Sequence, residues 1–215
     1  ADEGVQDLGL IFGFLAVGPD PGIAAEASHR LPRLMKASWA RFAVSVKLPA
    51  SASPASGPQA GQIMPVRDVF NSLSSLIGKS FPDAGSDQER NRGGALHKLA
   101  CQALGYERYQ DDGQFPDIRN QLVEVKLQTA QTIDLGLVAP SSLATLPLPS
   151  WAGLEVRQCD IRYAIFHGVL EGGMVRLERL SVTTGEGFFA RFPQFQGKVV
   201  NRKLQIPLPA DFFDS

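Results

Sequence analysis

This chain lacks most of the features that announce a chemistry. Of its 215 residues only Cys101 and Cys159 are cysteine. They lie far apart, without CxxC or Cys/His ligand spacing, which argues against structural zinc and for a reduced thiol pair inside a cell. Charge bias is missing too. A formal net charge of −1 with 20% charged residues excludes a disordered tail and a globally basic nucleic-acid binder, although a local Lys/Arg stripe suffices to follow phosphates. No secretory signal is visible. The apolar run LGLIFGFLAV, Leu8 to Val17, follows acidic residues and is too short to cross a bilayer, so a buried element and no membrane partner are expected. There is no internal repeat, P-loop, dinucleotide fingerprint or nucleophile elbow. The chain opens ADEG, without methionine, as a processed chain or a fragment would.

What is present is enough apolar material, 44% of residues, to bury one core with a small appendage. Three zones divide the chain. Residues 1–48 are apolar and then basic, too short for independent stability, and expected to pack on the larger domain or on a partner subunit. Residues 49–62, rich in Pro, Ala, Ser and Gly, read as a linker or loop. Residues 63–215 carry the pattern of a mixed α/β domain. Between Glu26 and Asp68 no acidic residue occurs, whereas Arg30, Arg33, Lys36, Arg41, Lys47 and Arg67 do, with Trp39 and Phe42 among them. Such a segment is either an arm lying on a phosphate backbone, with Arg33, Lys36 and Arg41 as DNA contacts, or a solvated basic helix face with two aromatics turned inward.

Val66, Val69, Phe70, Leu73, Leu76 and Ile77 have helical spacing and end at Gly78. Ser86 and Glu89 form a capping box ahead of the stripe Ala95, Leu96, Leu99, Ala100, Ala103, Leu104, which Gly105 ends. Strands are predicted over 106–109, 115–118 and 122–128, the last two joined by Arg119-Asn120-Gln121. A hairpin over 161–170 and 174–182 turns at Gly172-Gly173. A short helix over 187–192, with Thr183 or Thr184 near its cap, and a two-strand ribbon in KVVNRKLQIPL complete an α/β layered domain around a mixed sheet.

The stretch QFPDIRNQLVEVKLQT, Gln114 to Thr129, is the most informative. With a period of two, Val123, Val125 and Leu127 take one face of a strand and Leu122, Glu124, Lys126 and Gln128 the other. Glu124 and Lys126 then stand about 6.5–7 Å apart along one face. Asp117, on the adjoining strand of a tight hairpin, approaches Glu124 from the side. Two converging carboxylates suit Mg2+, a hard cation that prefers oxygen ligands. A neighbouring lysine can orient or help deprotonate a water, and the cation offsets charge on an attacked phosphate. The plainer alternative is a polar strand face with a surface Glu–Lys pair.

The spacing Pro116-Asp117, six residues, then Glu124-Val125-Lys126 resembles the signature of the PD-(D/E)XK nuclease superfamily, which includes type II restriction endonucleases and the strand-nicking endonuclease of mismatch repair. EVK is the only acidic-x-Lys triplet in the chain. The order of a Gly-containing helix, a PD strand and an EVK strand is similar as well, across roughly residues 88–142. The resemblance implies a restriction-endonuclease-like α/β/α core with a central mixed β-sheet. It implies a cytoplasmic, prokaryotic, Mg2+-dependent endonuclease (Mn2+ as substitute) acting on double-stranded DNA, dimeric where the target is palindromic. Asp117, Glu124 and the Val125 carbonyl would hold the metal, and Lys126 would position the nucleophilic water. Where many relatives carry a further glutamate on the helix after an RG pair, this chain has His97, which can hold a water or phosphate or simply line the core. Glu89 is the other candidate, already explained by its cap, and the number of metal ions stays open. Gln128 fits a contact to DNA or water as well as a polar strand end. Arg90 and Arg92 open the helix, where positive charge opposes the dipole, which suits a phosphate partner or plain solvation. His29 and His167 show no partner residues. A structure-specific repair or recombination nuclease, and a non-catalytic DNA-binding module on the same scaffold, are the competing functions.

Overall fold

The computed structural model describes residues 15–17, 47–59, 61–83, 89–130, 132–149, 155–192 and 205–207. At its centre is the predicted hairpin, β5 (Arg162–Glu171) and β6 (Met174–Thr184). Gly172 and Gly173 turn it at φ 58° and 77°, a region that glycine enters without steric cost. Strand β3 (Val123–Gln128) joins β5 in parallel, with Glu124 beside Tyr163 and Gln128 beside His167. The far edge of β6 receives β1 (Leu15–Val17) and β2 (Ser80–Pro82), both antiparallel. The result is a five-stranded mixed sheet in an α/β fold, in agreement with the coarse class expected.

Both faces of this sheet are covered. Ala164 and Phe166 of β5 join Val123 and Val125 in a core closed by α1 (Val66–Ser74) and α2 (Glu89–Ala103), through Val69, Leu73, Leu96 and Ala100. Ile161, Tyr163 and Ile165 point the other way, into a second core with Ile63, Leu122, Ile133 and Val156. Phe188 of α3 (Phe188–Arg191) and the following Phe192 stack at 4.7 Å in that second core. Double burial explains why β5 reads as a nearly continuous apolar run.

The β5–β6 register slips once. His167 opposes Arg179 while Gly168 opposes Leu177, so Glu178 is an extra residue on β6. The apolar alternation changes phase there, from Val175 and Leu177 to Leu180 and Val182, all four in the first core. A Cβ on Gly168 would stand 2.9 Å from Val175 Cγ1, so the close packing beside the bulge requires glycine.

Several elements differ from the sequence expectation. Helix α1 stops at Ser74, and the residues up to Gly78 continue as turns. Ser86 of the expected capping box lies outside the described residues. No strand forms over 106–109: Tyr106 N–H bonds the Cys101 carbonyl and Gly105 N–H that of Gln102, a Schellman ending of α2 that occupies the residue meant to open the strand. Nor does 115–118 form a strand, because Pro116 has no N–H for a ladder and Asp111, Asp112 and Gly113 before it favour turns. Only Ile118 pairs, with Val123. Of the expected tail ribbon, residues 198–204 lie outside the described residues, and β7 (Gln205–Pro207) pairs with β4 (Thr132–Asp134). Ile133, buried in the second core, gives that long-range pairing its apolar anchor.

Among its described residues, segment 49–62 contains no helix or strand and is packed rather than extended. Ala52 and Ala55 are buried. Asn120 N–H donates to the Pro54 carbonyl at 3.2 Å and Asn120 Nδ2 to that of Gly57 at 3.3 Å. Tyr106 Oη donates to Asn120 Oδ1, and Met64 N–H to Gln121 Oε1, both at 2.8 Å. This buried network fastens the loop to the turn that precedes β3. Among the described residues no helix is long and apolar enough to cross a membrane.

Candidate active site

Among the described residues β3 is the edge strand of the sheet, and the site is built on its outer edge. Ile118 and Val123 exchange both backbone hydrogen bonds, at 2.8 and 3.1 Å, forming a single rung. The 3-10 turn Arg119–Gln121 closes it, and Leu122 follows at φ 53°. That left-handed conformation costs a leucine on the order of 1–2 kcal/mol, and burial of its side chain in the second core holds it there. Where a second rung would come, side chains replace backbone. Asp117 Oδ2 accepts the Val125 N–H at 2.9 Å. Glu124 Oε2 accepts the Asp117 N–H at 3.1 Å. Lys126 Nζ then lies 2.8 Å from Glu124 Oε1.

The three predicted catalytic side chains therefore meet. Backbone alternation also locates the Val125 carbonyl. Leu122 O accepts the Arg162 N–H, so even-numbered residues of β3 address β5, whereas Val123 and the Val125 N–H address Ile118 and Asp117. By the same alternation the Val125 carbonyl lies on the open edge with Asp117. Glu124 is only 6% exposed, so its face of the strand is not the solvent face that a surface Glu–Lys pair would occupy.

Electrostatics at this edge are short of positive charge. Burial, then the charge of Glu124, push the Asp117 carboxyl up to about 7, against the pull of the Val125 N–H and of Lys126. A carboxylate that resists ionisation beside a second carboxylate suits a cation. Two carboxylates and a main-chain carbonyl are all oxygen donors, which matches Mg2+ or Mn2+ rather than a soft metal. Among the described residues no group of three or more His, Cys, Asp or Glu side chains is arranged to hold a metal. The candidate set is thus two side chains and one backbone oxygen, leaving the other positions of a Mg2+ ion to water and phosphate.

His97 lies on α2, buried, with Nδ1 3.6 Å from Asp111 Oδ2. The Tyr109 ring meets it edge-on at 5.1 Å, and Tyr109 Oη bonds Asp111 Oδ2 at 3.2 Å. Asp111 Oδ1 accepts the Gly113 N–H at 2.8 Å, and this bond leads in holding its carboxyl below the ordinary value. Asp111 in turn adds negative charge to the surroundings of Asp117. Sequence reasoning missed Tyr109 and Asp111. Their signal was the turn-forming DDG immediately upstream of the PD pair. Cys101, one helical turn beyond His97, has its thiol pushed up to about 12 by burial and by Asp117, which makes it inert.

Other expected residues stand elsewhere. Arg92 is buried against Asp83, Nε to Oδ1 2.6 Å, so a phosphate contact would have to break that ion pair. Glu89 and Arg90 open α2, but their side chains lie outside the described residues, as do Arg33, Lys36 and Arg41. Gln128 is buried, its Nε2 donating to the Ala130 carbonyl, a strand-end role two residues past Lys126.

Comparison with known proteins returns no match, whether against family models, curated proteins or solved structures.

Proposed function

We propose that this chain is a Mg2+-dependent DNA endonuclease of the PD-(D/E)XK type, with Mn2+ as a substitute, acting as a type II restriction enzyme or its cleavage domain on a restriction-endonuclease-like core. One observation carries the reading: the Glu124 carboxylate spans the Asp117 N–H at 3.1 Å and Lys126 Nζ at 2.8 Å, gathering the whole signature at one strand edge. Asp117, Glu124 and the Val125 carbonyl would hold the cation. When bound, it supplies positive charge opposite the attacked phosphate. Glu124 holds the Lys126 ammonium at the same edge, where it orients the attacking water. That water attacks phosphorus in line with the 3′ oxygen, which leaves, giving 5′-phosphate and 3′-hydroxyl ends. A homodimer matches a palindromic target.

Incubating the protein with methylated and unmethylated plasmid in Mg2+ tests this. Discrete bands are expected, and intact plasmid in both Mg2+ and Mn2+ would overturn it. Selective cutting of junctions or mismatches instead would make it a structure-specific repair nuclease. A second reading, a non-catalytic DNA-binding module, is favoured by the fact that each carboxylate already accepts a backbone N–H. Calorimetry separates them: no uptake of Mg2+ or Mn2+, with or without DNA, selects the module.

A further inference from the structure

The Met64 peptide is held from both ends by side chains. Its N–H donates to Gln121 Oε1 at 2.8 Å, and its carbonyl accepts Arg162 Nη1 at 2.6 Å. Gln121 belongs to the turn before β3, and Arg162 is the first residue of β5. In register, Arg162 lies beside Val123 and Thr184. Laterally paired residues project to the same side of a sheet. Val123 faces the first core, so Arg162 does too, on the side opposite Glu124 and Tyr163.

Met64 stands two residues ahead of α1, whose cap position is Pro65. Proline brings no side-chain acceptor, and no side chain caps this helix. The N–H groups of Asp68 and Val69 both turn to the Pro65 carbonyl. Those of Val66 and Arg67, the first two of α1, have no carbonyl within the helix to bond. Positive partial charge therefore gathers at this end. The Arg162 guanidinium, tied to the carbonyl just before the cap, adds a full charge beside it.

That charge is unmatched. Arg162 is only 7% exposed. Burial alone acts on its guanidinium, lowering the pKa to about 10, so among the described residues no carboxylate offsets it. Asp68, in the first turn of α1, is no exception. The Met64 carbonyl takes one N–H of a group that carries five, and among the described residues the others meet no acceptor. An ion withdrawn from water without a counter-charge is costly, which is why buried arginines are normally paired.

We propose that Arg162 and the N-terminus of α1 form a binding site for a small oxyanion of the phosphate class, either free phosphate or the phosphoryl group of a mononucleotide. The planar fork of Arg162 suits two oxygens of such a group. The Val66 and Arg67 N–H groups suit a third. Burial of Met64, Val66 and Val123 around the guanidinium restricts the ligand to a small one. The inference goes beyond the nuclease reading and does not depend on it, because Glu124 lies on the other face of the sheet.

Calorimetry of the metal-free full chain near neutral pH, at constant ionic strength, tests this with inorganic phosphate and with deoxyadenosine 5′-monophosphate as separate probes. Saturable uptake of one ion per chain is expected. Tighter binding of the nucleotide would identify a phosphomonoester as the ligand, and tighter binding of inorganic phosphate the free ion. Arg162→Met should abolish uptake. Arg162→Lys keeps the charge without the fork and should weaken uptake about tenfold, which gives an independent reading if Arg162→Met fails to fold. Arg67→Gln removes an exposed charge at the same helix end but keeps its N–H, and should bind as the parent does. Heats that never saturate with either probe overturn the site, as does Arg162→Lys binding as tightly as the parent. An equal loss from Arg67→Gln overturns it as a surface-charge effect. None of these outcomes bears on plasmid cleavage, which tests the nuclease reading separately.

Discussion

Asp117 and Glu124 each cap a backbone N–H on the other's segment. The Glu124 carboxylate accepts the Asp117 N–H at 3.1 Å, and the Asp117 carboxylate accepts the N–H of Val125, the residue after Glu124, at 2.9 Å. The reciprocal bonds do the work of a missing strand rung and bring two carboxylates together at a half-buried edge. Burial, and after it the charge of Glu124, disfavours the ionised Asp117 carboxyl, and this has measurable consequences.

The first is a pH dependence of stability. An unfolded aspartate loses its proton near 3.9, whereas Asp117 in the fold keeps it up to about 7. Between those values the native chain binds the extra proton, so stability falls as pH rises through the window and the loss is complete above it. Thermal unfolding of the metal-free protein across this range should show the decline, and Asp117→Asn should flatten it. Added Mg2+ should raise the melting temperature more above pH 7 than at about pH 5. Equal shifts at both would remove the carboxylates as the binding site.

Lys126→Ala and Glu124→Ala should each cut the cleavage rate by at least ~10²-fold, with duplex binding retained. Single-turnover cleavage and anisotropy on the same preparations report the two quantities. Full activity in either variant would end the catalytic assignment.

His97 fastens the exposed 107–115 loop to α2 through Tyr109 and Asp111. His97→Ala should therefore speed hydrogen exchange of amides in that loop and lower cleavage, with little change in the exchange of β5 and β6. Exchange unchanged throughout would mean that Arg119, paired with Asp112 at 2.6 Å, holds the loop without it.

Asn120→Ala should destabilise the fold by about 1–3 kcal/mol, since it strips Tyr106 Oη of a buried acceptor. Urea unfolding measures this. A shift of the midpoint with unchanged slope is the expected form.

Replacing Arg33, Lys36 and Arg41 together by glutamine should reduce the salt slope of DNA binding by up to about three units. An unchanged slope would assign that basic segment a structural role.

Legibility followed the range of the interactions. Amphipathic period marked α1 and α2, Gly105 marked the end of α2, and Gly172-Gly173 between apolar runs marked the β5–β6 hairpin, because these are local properties of the chain, whereas α1 stops at Ser74, short of Gly78. The PD and EVK residues were equally visible. Period two set Glu124 and Lys126 on one face, and the structure closes them to 2.8 Å. Strand propensity misled at Tyr106, which the Schellman ending uses, and at Pro116, which cannot donate.

By itself, then, the amino-acid order marked the candidate side chains, the apolar faces and the glycine that ends α2. Tertiary structure alone decided that the Asp117 carboxylate replaces a strand rung, that Asp111 meets His97, and that His167, without visible partners in the sequence, lies in register with Gln128 and Arg179. The reason is physical. A residue's face is a local consequence of backbone geometry, whereas its lateral neighbour depends on register, which a single extra residue such as Glu178 shifts.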